Sequence, residues 1–283
     1  MTAGAVDAAS AVPGRVGFVG AGQLGGPMVD RLFGAGVGVR LYARRPEVGQ
    51  RWRDRGVETA ADARELAATS DVLIACLYSD VQLRELVLGP DGIAEVLPPG
   101  SVLVSHTTCA PSAVDDLRSA LADRSVGLVD APVSGTAAHI ARGELTVLLG
   151  GDDLALDRVE PLLATYCSTR LRTGGVGSAT RMKLVNNIWF AANVQVTALA
   201  VRLAEQLGLG EDAVLASISH CSANSAALGF VREFGSVATF GERVGHYLRK
   251  DVSAIQDAAE VARIDLGLLE HLVSTGPLDQ LHP

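Results

Sequence analysis

The sequence predicts an α/β protein: a doubly wound sheet up to about residue 175, then an all-helical domain opened by one long helix. Three observations carry this. Short apolar runs alternate with amphipathic stretches from Arg15 onward, a glycine-rich turn follows the first run, and strand signals stop after the glycines at 173–178. The length of 283 residues suits two domains of ordinary size.

Residues 1–14 are small or polar and end in Pro13-Gly14, which reads as a loose tail. RVGFVG at 15–20 is the first strand, AGQLGGPMVDRLFGAG a helix closed by glycines, and VGVRLYA the second strand. Helical ADARELAAT precedes the strand DVLIAC, VQLRELVLG precedes SVLVSHTT, and PSAVDDLRSALAD precedes VGLVDAP. Each of these runs has the length of a buried parallel strand. LTVLLGGD is a further strand before a helix from Asp152 to about Leu163, and TRLRT an edge strand. From Ala179 to Leu209 apolar residues recur at helical spacing without glycine or proline until Gly208, and the rest is helical in pattern. The expected division is therefore a tail at 1–14, a dinucleotide-binding domain at 15–175 and a helical substrate and dimerisation domain at 176–283.

Composition narrows the function. Lys and Arg total 24 against 32 Asp and Glu, a net charge of −8, which does not suit binding to a phosphate backbone, so no nucleic-acid partner is expected. Cys76, Cys109, Cys167 and Cys221 are widely spaced with no C-x-x-C pair, no metal site is read, and no secretory signal precedes them. A reducing cytoplasm is the expected compartment. The most apolar stretch, Leu184 to Ala204, contains Asn186, Asn187, Asn193 and Gln195, so it reads as a buried helix and not as a membrane span. A helix this apolar is hard to cover with the short remainder of the chain, so a homodimer or higher homo-oligomer is expected.

Gly20-Ala21-Gly22-Gln23-Leu24-Gly25 fits G-x-G-x-x-G, placed after a strand and at the opening of a helix, as dinucleotide binding requires. This makes the sheet Rossmann-like. The first glycine permits a tight turn, the second lets backbone approach a pyrophosphate, and the third allows close helix–strand packing. At the end of the second strand, where an acid would bind the ribose 2′-OH of NAD, the chain reads Ala43-Arg44-Arg45. Two guanidinium groups suit a 2′-phosphate, so NADP is expected ahead of NAD. The alternative for Arg44 and Arg45 is a solvated surface pair.

Two further stretches, Asp130-Ala131-Pro132-Val133-Ser134-Gly135 and Gly177 to Asn187 with Lys183 in its centre, complete a set of three motifs. With GFVGAGQLG, their order and spacing resemble the β-hydroxyacid dehydrogenase family, over Arg15 to about Ile264. The resemblance implies that Lys183 is the catalytic lysine with Asn187 as its companion, and that Ser134 and Gly135, with Thr136 beside them, hold a small substrate carboxylate. It also implies that Leu77, Tyr78 and Thr108 line the nicotinamide side and that Lys250 approaches the cofactor. A lysine and an asparagine at i and i+4 share one helix face, so both can reach one substrate oxygen. Taken alone, Lys183 reads sooner as a surface lysine than as a catalytic one, while Thr108 reads equally as a helix cap before Pro111 and Lys250 as a solvated charge beside Asp251.

The chain departs from the family pattern at Thr136, where a second glycine is usual, at Tyr78 in place of a proline, and at Ala179-Thr180 in place of Gly-Gln. Thr136 bears on substrate size and on the pose of the carboxylate. The expected activity is hydride transfer between NADP and a small β-hydroxyacid or its semialdehyde or oxo acid. An imine reductase-like enzyme and a non-catalytic dinucleotide-binding module are the alternatives. Imine reductases usually lack a lysine at the position of Lys183, and 6-phosphogluconate dehydrogenases carry a much larger helical domain.

Overall fold

The structure, a computed structural model, describes residues 14–279 and 282. All but Gly14 of the tail read at 1–14 lies outside the described residues. The chain divides into two compact units, one ending at Lys183 and the other beginning at Leu184.

In the first unit, β1 (Val16–Val19), β2 (Val39–Tyr42), β3 (Glu58–Thr59), β4 (Val72–Ala75), β5 (Val102–Ser105) and β6 (Gly127–Asp130) run parallel in the order β3-β2-β1-β4-β5-β6. This is the doubly wound dinucleotide-binding order, which reverses between β1 and β4. Helices α1 (Gly25–Gly34), α2 (Pro46–Asp54), α3 (Ala63–Ala68), α4 (Asp80–Leu88) and α5 (Pro111–Ala122) connect the strands. The period-2 alternation of strand side chains supplies both faces of the sheet. Ile74, Val104 and Val129 join the core that buries Met28 and Leu32 of α1 and Trp52 of α2. Their neighbours Leu73, Leu103 and Leu128 join a second core with Leu66 of α3, Leu83 of α4 and Leu117 of α5.

Beyond β6 the sheet changes direction. The two-residue β7 (Val133–Ser134) leads into α6 (Ala137–Arg142), and β8 (Leu145–Gly150) returns antiparallel to both β6 and β7. After α7 (Asp153–Leu163), β9 (Cys167–Gly174) pairs parallel to β8 at the edge. The strand read at LTVLLGGD is thus present, but it reverses the sheet. The sequence reading did not separate α2, β3, β7 and α6.

The helical unit is built from α8 (Ser178–Gln206), which begins in the first unit, with α9 (Glu211–Ile218), α10 (Ala226–Glu233), α11 (Val237–Ala262) and α12 (Leu268–Thr275). Its core gathers Ile188, Ala191, Ala198 and Val201 of α8 with Leu215, Val231, Phe240 and Val252. The buried amide of Gln195 grips backbone on both sides of Leu278, donating to its carbonyl at 3.1 Å and accepting its N–H at 2.9 Å. Helix α8 is long and apolar enough to cross a membrane, and 56% of its most apolar stretch is packed inside the protein. The helix is buried along one side only, as the shortness of the remaining chain leads us to expect. Val185, Trp189, Val196, Leu199 and Leu203 remain exposed, Trp189 at 64%, because the other helices cover only one side.

Candidate active site

The parallel strands end flush. Val19 stands opposite Tyr42 and Ala75, Ala75 opposite Ser105, and Ser105 opposite Asp130. The residues that follow each strand therefore share one edge, where open α/β sheets bind ligands.

At the switch point a cleft of ≈ 450 Å³ is lined by Gly20, Ala21 and Gly22 after β1, by Ala43, Arg44 and Arg45 after β2, and by Cys76, Leu77 and Tyr78 after β4. Gly20 sits at φ +98°, and a Cβ there would collide with the carbonyl oxygen of Cys76. Gly22 differs, because a Cβ there would meet nothing within 4 Å. Its backbone faces open space in the cleft, as close approach by a pyrophosphate demands. Gln23 is exposed at the turn, Leu24 is the N-cap residue of α1, and Gly25 opens that helix. The N-terminus of α1 adds unpaired N–H groups and a partial positive charge. Arg44 and Arg45 are exposed on the cleft, with no acid between Tyr42 and Arg45, so these residues fit a dinucleotide.

The loops after β4 and β5 are tied together, since Leu77 N–H donates to Thr107 Oγ1 at 3.1 Å. Thr108 follows Thr107 and is half-buried. It does not cap α5, whose N-cap residue is Ala110. Beneath this loop lies His106, 4% exposed, with Nδ1 2.6 Å from the Ala131 carbonyl and Nε2 2.8 Å from the Tyr166 hydroxyl. A carbonyl only accepts, so Nδ1 carries the proton and Nε2 accepts from the tyrosine. The ring joins the ends of β5 and β6 to the approach of β9.

Asp130, buried at the end of β6, accepts from Gly177 N–H at 2.6 Å through Oδ1 and from Thr180 N–H at 2.7 Å through Oδ2. Burial pushes its carboxyl above the usual range, against the pull of these backbone N–H groups. Two charge-assisted bonds and the positive end of α8 compensate the buried charge. Ser134 lies four residues after this carboxylate and Lys183 three residues after Thr180, so one group links the turn at Ser134 and Gly135 to the helix bearing Lys183.

Ser134, Gly135 and Thr136 are exposed. Thr136 is the N-cap residue of α6, and its N–H and hydroxyl both meet His139 Nδ1. In the helical unit the Asn187 amide is 4% exposed, donates to Asp251 Oδ2 at 2.8 Å and accepts from Asn186 Nδ2 at 3.1 Å. Lys250 lies on α11 beside Asp251. Among the described residues no group of three or more His, Cys, Asp or Glu is placed to hold a metal ion.

A reversing parallel sheet with a glycine turn and a cleft at the switch point defines a Rossmann-fold protein of the dinucleotide-binding class. Comparison with known proteins carries this further. Residues 15–175 match the family model for the NAD-binding domain of 6-phosphogluconate dehydrogenase. Residues 177–274 match the model described as NAD-binding of NADP-dependent 3-hydroxyisobutyrate dehydrogenase. A 3-hydroxyisobutyrate dehydrogenase-like protein of Arabidopsis thaliana is 31% identical over 87% of this chain and 82% of its own. The L-threonate dehydrogenase of Cupriavidus necator is 29% identical over 90% of this chain and 82% of its own. The crystal structure of a 3-hydroxyisobutyrate dehydrogenase from Salmonella typhimurium superposes with a TM-score of 0.79, at 25% identity over 91% of each chain. The chain belongs to the β-hydroxyacid dehydrogenase family and is an NAD(P)-dependent dehydrogenase.

The network around His106 has a measurable signature. Burial pushes its imidazole from the ordinary 6.5 down to about 4. The unfolded chain takes up this proton near pH 6.5, while the folded chain resists it until about pH 4. The contribution to stability is therefore complete above the upper value and is lost as pH falls through that window. Urea unfolding should show a loss of about 2 kcal/mol between roughly pH 7 and pH 5. A His106→Gln variant should lose less over the same interval.

Proposed function

We propose that the protein is an NADP-dependent dehydrogenase interconverting a small β-hydroxyacid and its semialdehyde or oxo acid, with Lys183 as general acid and base. The observation that carries this reading is the Asp130 carboxylate, which fixes the first turn of the lysine helix from the strand leading to Ser134 and Gly135. The L-threonate dehydrogenase relative supports a hydroxyacid substrate.

Residues 15–175 serve as the cofactor domain, and residues 176–283 contribute to substrate binding and dimerisation. Gly20, Gly22 and Gly25, with Gln23 and Leu24 between them, cradle the pyrophosphate at the head of α1. Arg44 and Arg45 receive the 2′-phosphate, with Ala43 where an acid would repel it and Glu47 3.9 Å from Arg45 as the acid the phosphate would displace. Leu77, Tyr78 and Thr108 line the nicotinamide side. When bound, the nicotinamide supplies or accepts the hydride. Ser134 and Gly135 hold the substrate carboxylate. During reduction the Lys183 ammonium gives its proton to the carbonyl oxygen as that oxygen gains charge, and during oxidation the neutral amine takes the hydroxyl proton. Asn187, one helical turn on, orients the same oxygen. The exposed stripe of Val185, Trp189, Val196, Leu199 and Leu203 on α8 is covered by a second copy of the chain.

Calorimetric titration should show NADPH binding at least about tenfold tighter than NADH, the difference disappearing in Arg44→Ala/Arg45→Ala. Gly22→Ala should leave thermal stability unchanged, since the added methyl meets open space, yet weaken NADPH binding by about tenfold or more. Equal affinity for the two cofactors would refute the arginine assignment. In a screen of β-hydroxyacids, Lys183→Ala should lower kcat by about 10²–10³-fold with NADPH affinity retained. Undiminished turnover would remove the lysine from the mechanism. Light scattering on the purified protein should report a mass of at least two chains, and a monomer would contradict the covered stripe.

A further inference from the structure

The departure at Thr136 has a structural partner that no motif names. Gly135 lies at φ +135°, and a Cβ there would come 2.9 Å from Leu145 Cδ1 and 3.3 Å from His139 Cβ. The turn is thus pressed against the base of the His139 side chain. One residue on, Thr136 N–H donates to His139 Nδ1 at 3.2 Å, and the Thr136 hydroxyl lies 2.8 Å from the same nitrogen. Accepting the backbone N–H requires Nδ1 to be the unprotonated ring atom, which leaves the ring proton on Nε2 and turns the hydroxyl hydrogen toward Nδ1. In a Ser-Gly-Gly turn the third N–H would be available to an anion. Here the imidazole takes it.

We propose that His139 is a positioning residue for the substrate carboxylate. It locks the Ser134-Gly135-Thr136 turn through Nδ1 and so holds the Ser134 hydroxyl and the Gly135 N–H ready for the carboxylate, and this ordering outweighs the one N–H, that of Thr136, which the imidazole takes from the anion. The inference rests on the reading of Ser134 and Gly135 as the carboxylate site. His139 acts through the turn and not on the reacting atoms, so its loss changes carboxylate affinity and leaves the cofactor site alone. Asparagine places Oδ1 where histidine carries Nδ1 and can accept the same two hydrogens, whereas alanine cannot.

The probe is isobutyrate, which has a β-hydroxyacid skeleton without the hydroxyl, titrated into the NADPH-loaded protein with NADPH fluorescence as the readout. His139→Ala should weaken isobutyrate binding about tenfold while NADPH affinity stays within about twofold. His139→Asn should stay within about threefold of the parent. If His139 only capped the short helix α6, His139→Ala would lower the melting temperature and leave isobutyrate affinity intact, and that result would overturn the proposal. So would an asparagine variant as weak as the alanine one. Ser134→Ala separates the two levels. Loss of isobutyrate affinity in Ser134→Ala but not in His139→Ala overturns the role of His139 alone. A parent protein that ignores isobutyrate, or a Ser134→Ala variant that binds it normally, overturns the carboxylate site and this inference with it.

Discussion

A carboxylate buried at the end of β6 carries more of the active geometry than any other group. Taking an ion out of water costs several kcal/mol unless donors replace its hydration. Asp130 receives backbone donors at 2.6 and 2.7 Å together with the positive end of a 29-residue helix. The surroundings are shaped to admit it, for a Cβ on Gly150 would run into Oδ1. The requirement also works in reverse. Those backbone N–H groups sit in a buried turn and need an acceptor, and no apolar residue at 130 would serve. The start of α8 is therefore held against the sheet by mutual need, and the placement of Lys183 relative to Ser134 follows from it.

The same economy appears under the loops after β4 and β5. His106 spends both ring nitrogens on neighbours, and Thr107 spends its hydroxyl on the Leu77 N–H. These internal bonds hold the loops that carry Leu77, Tyr78 and Thr108 in place at the sheet edge. The Asn187 amide likewise has Asp251 and Asn186 as protein partners, so its orientation is fixed within the protein.

Much of this was legible from the sequence because it depends on local pattern. The parallel strands announce themselves as short apolar runs bounded by turn residues, and the glycine turn shows in six consecutive residues. Long-range pairings leave no such trace. Asp130 meets its partners 47 and 50 residues away, and His106 meets Tyr166 across 60. Strand direction is equally silent, so β8 looked like its parallel neighbours although it reverses the sheet. Helix α2 did carry a signal, Pro46 at its first position followed by Glu47, which sequence reading passed over. His139 escaped because the usual partner of a capping threonine is Glu or Gln, and an imidazole in that place matches no common pattern. The outward stripe on α8 was legible only as an excess: a helix apolar on most sides, followed by too little chain to cover it, does not say which of its residues stay outside.

The flush strand ends have an evolutionary consequence. The proposed 2′-phosphate site lies just after β2, whereas the proposed carboxylate site lies at the end of β7 and the turn beyond it; one hydrophobic core underlies both, but their polar contacts are separate, Arg45 with Glu47 in one and Thr136 with His139 in the other. Substitutions that share no partner combine almost additively. A lineage could therefore retune the 43–45 segment for another dinucleotide, or the 134–139 segment for another acid, and keep the other trait intact. Position 130 has no such liberty, because strand and helix both answer to it.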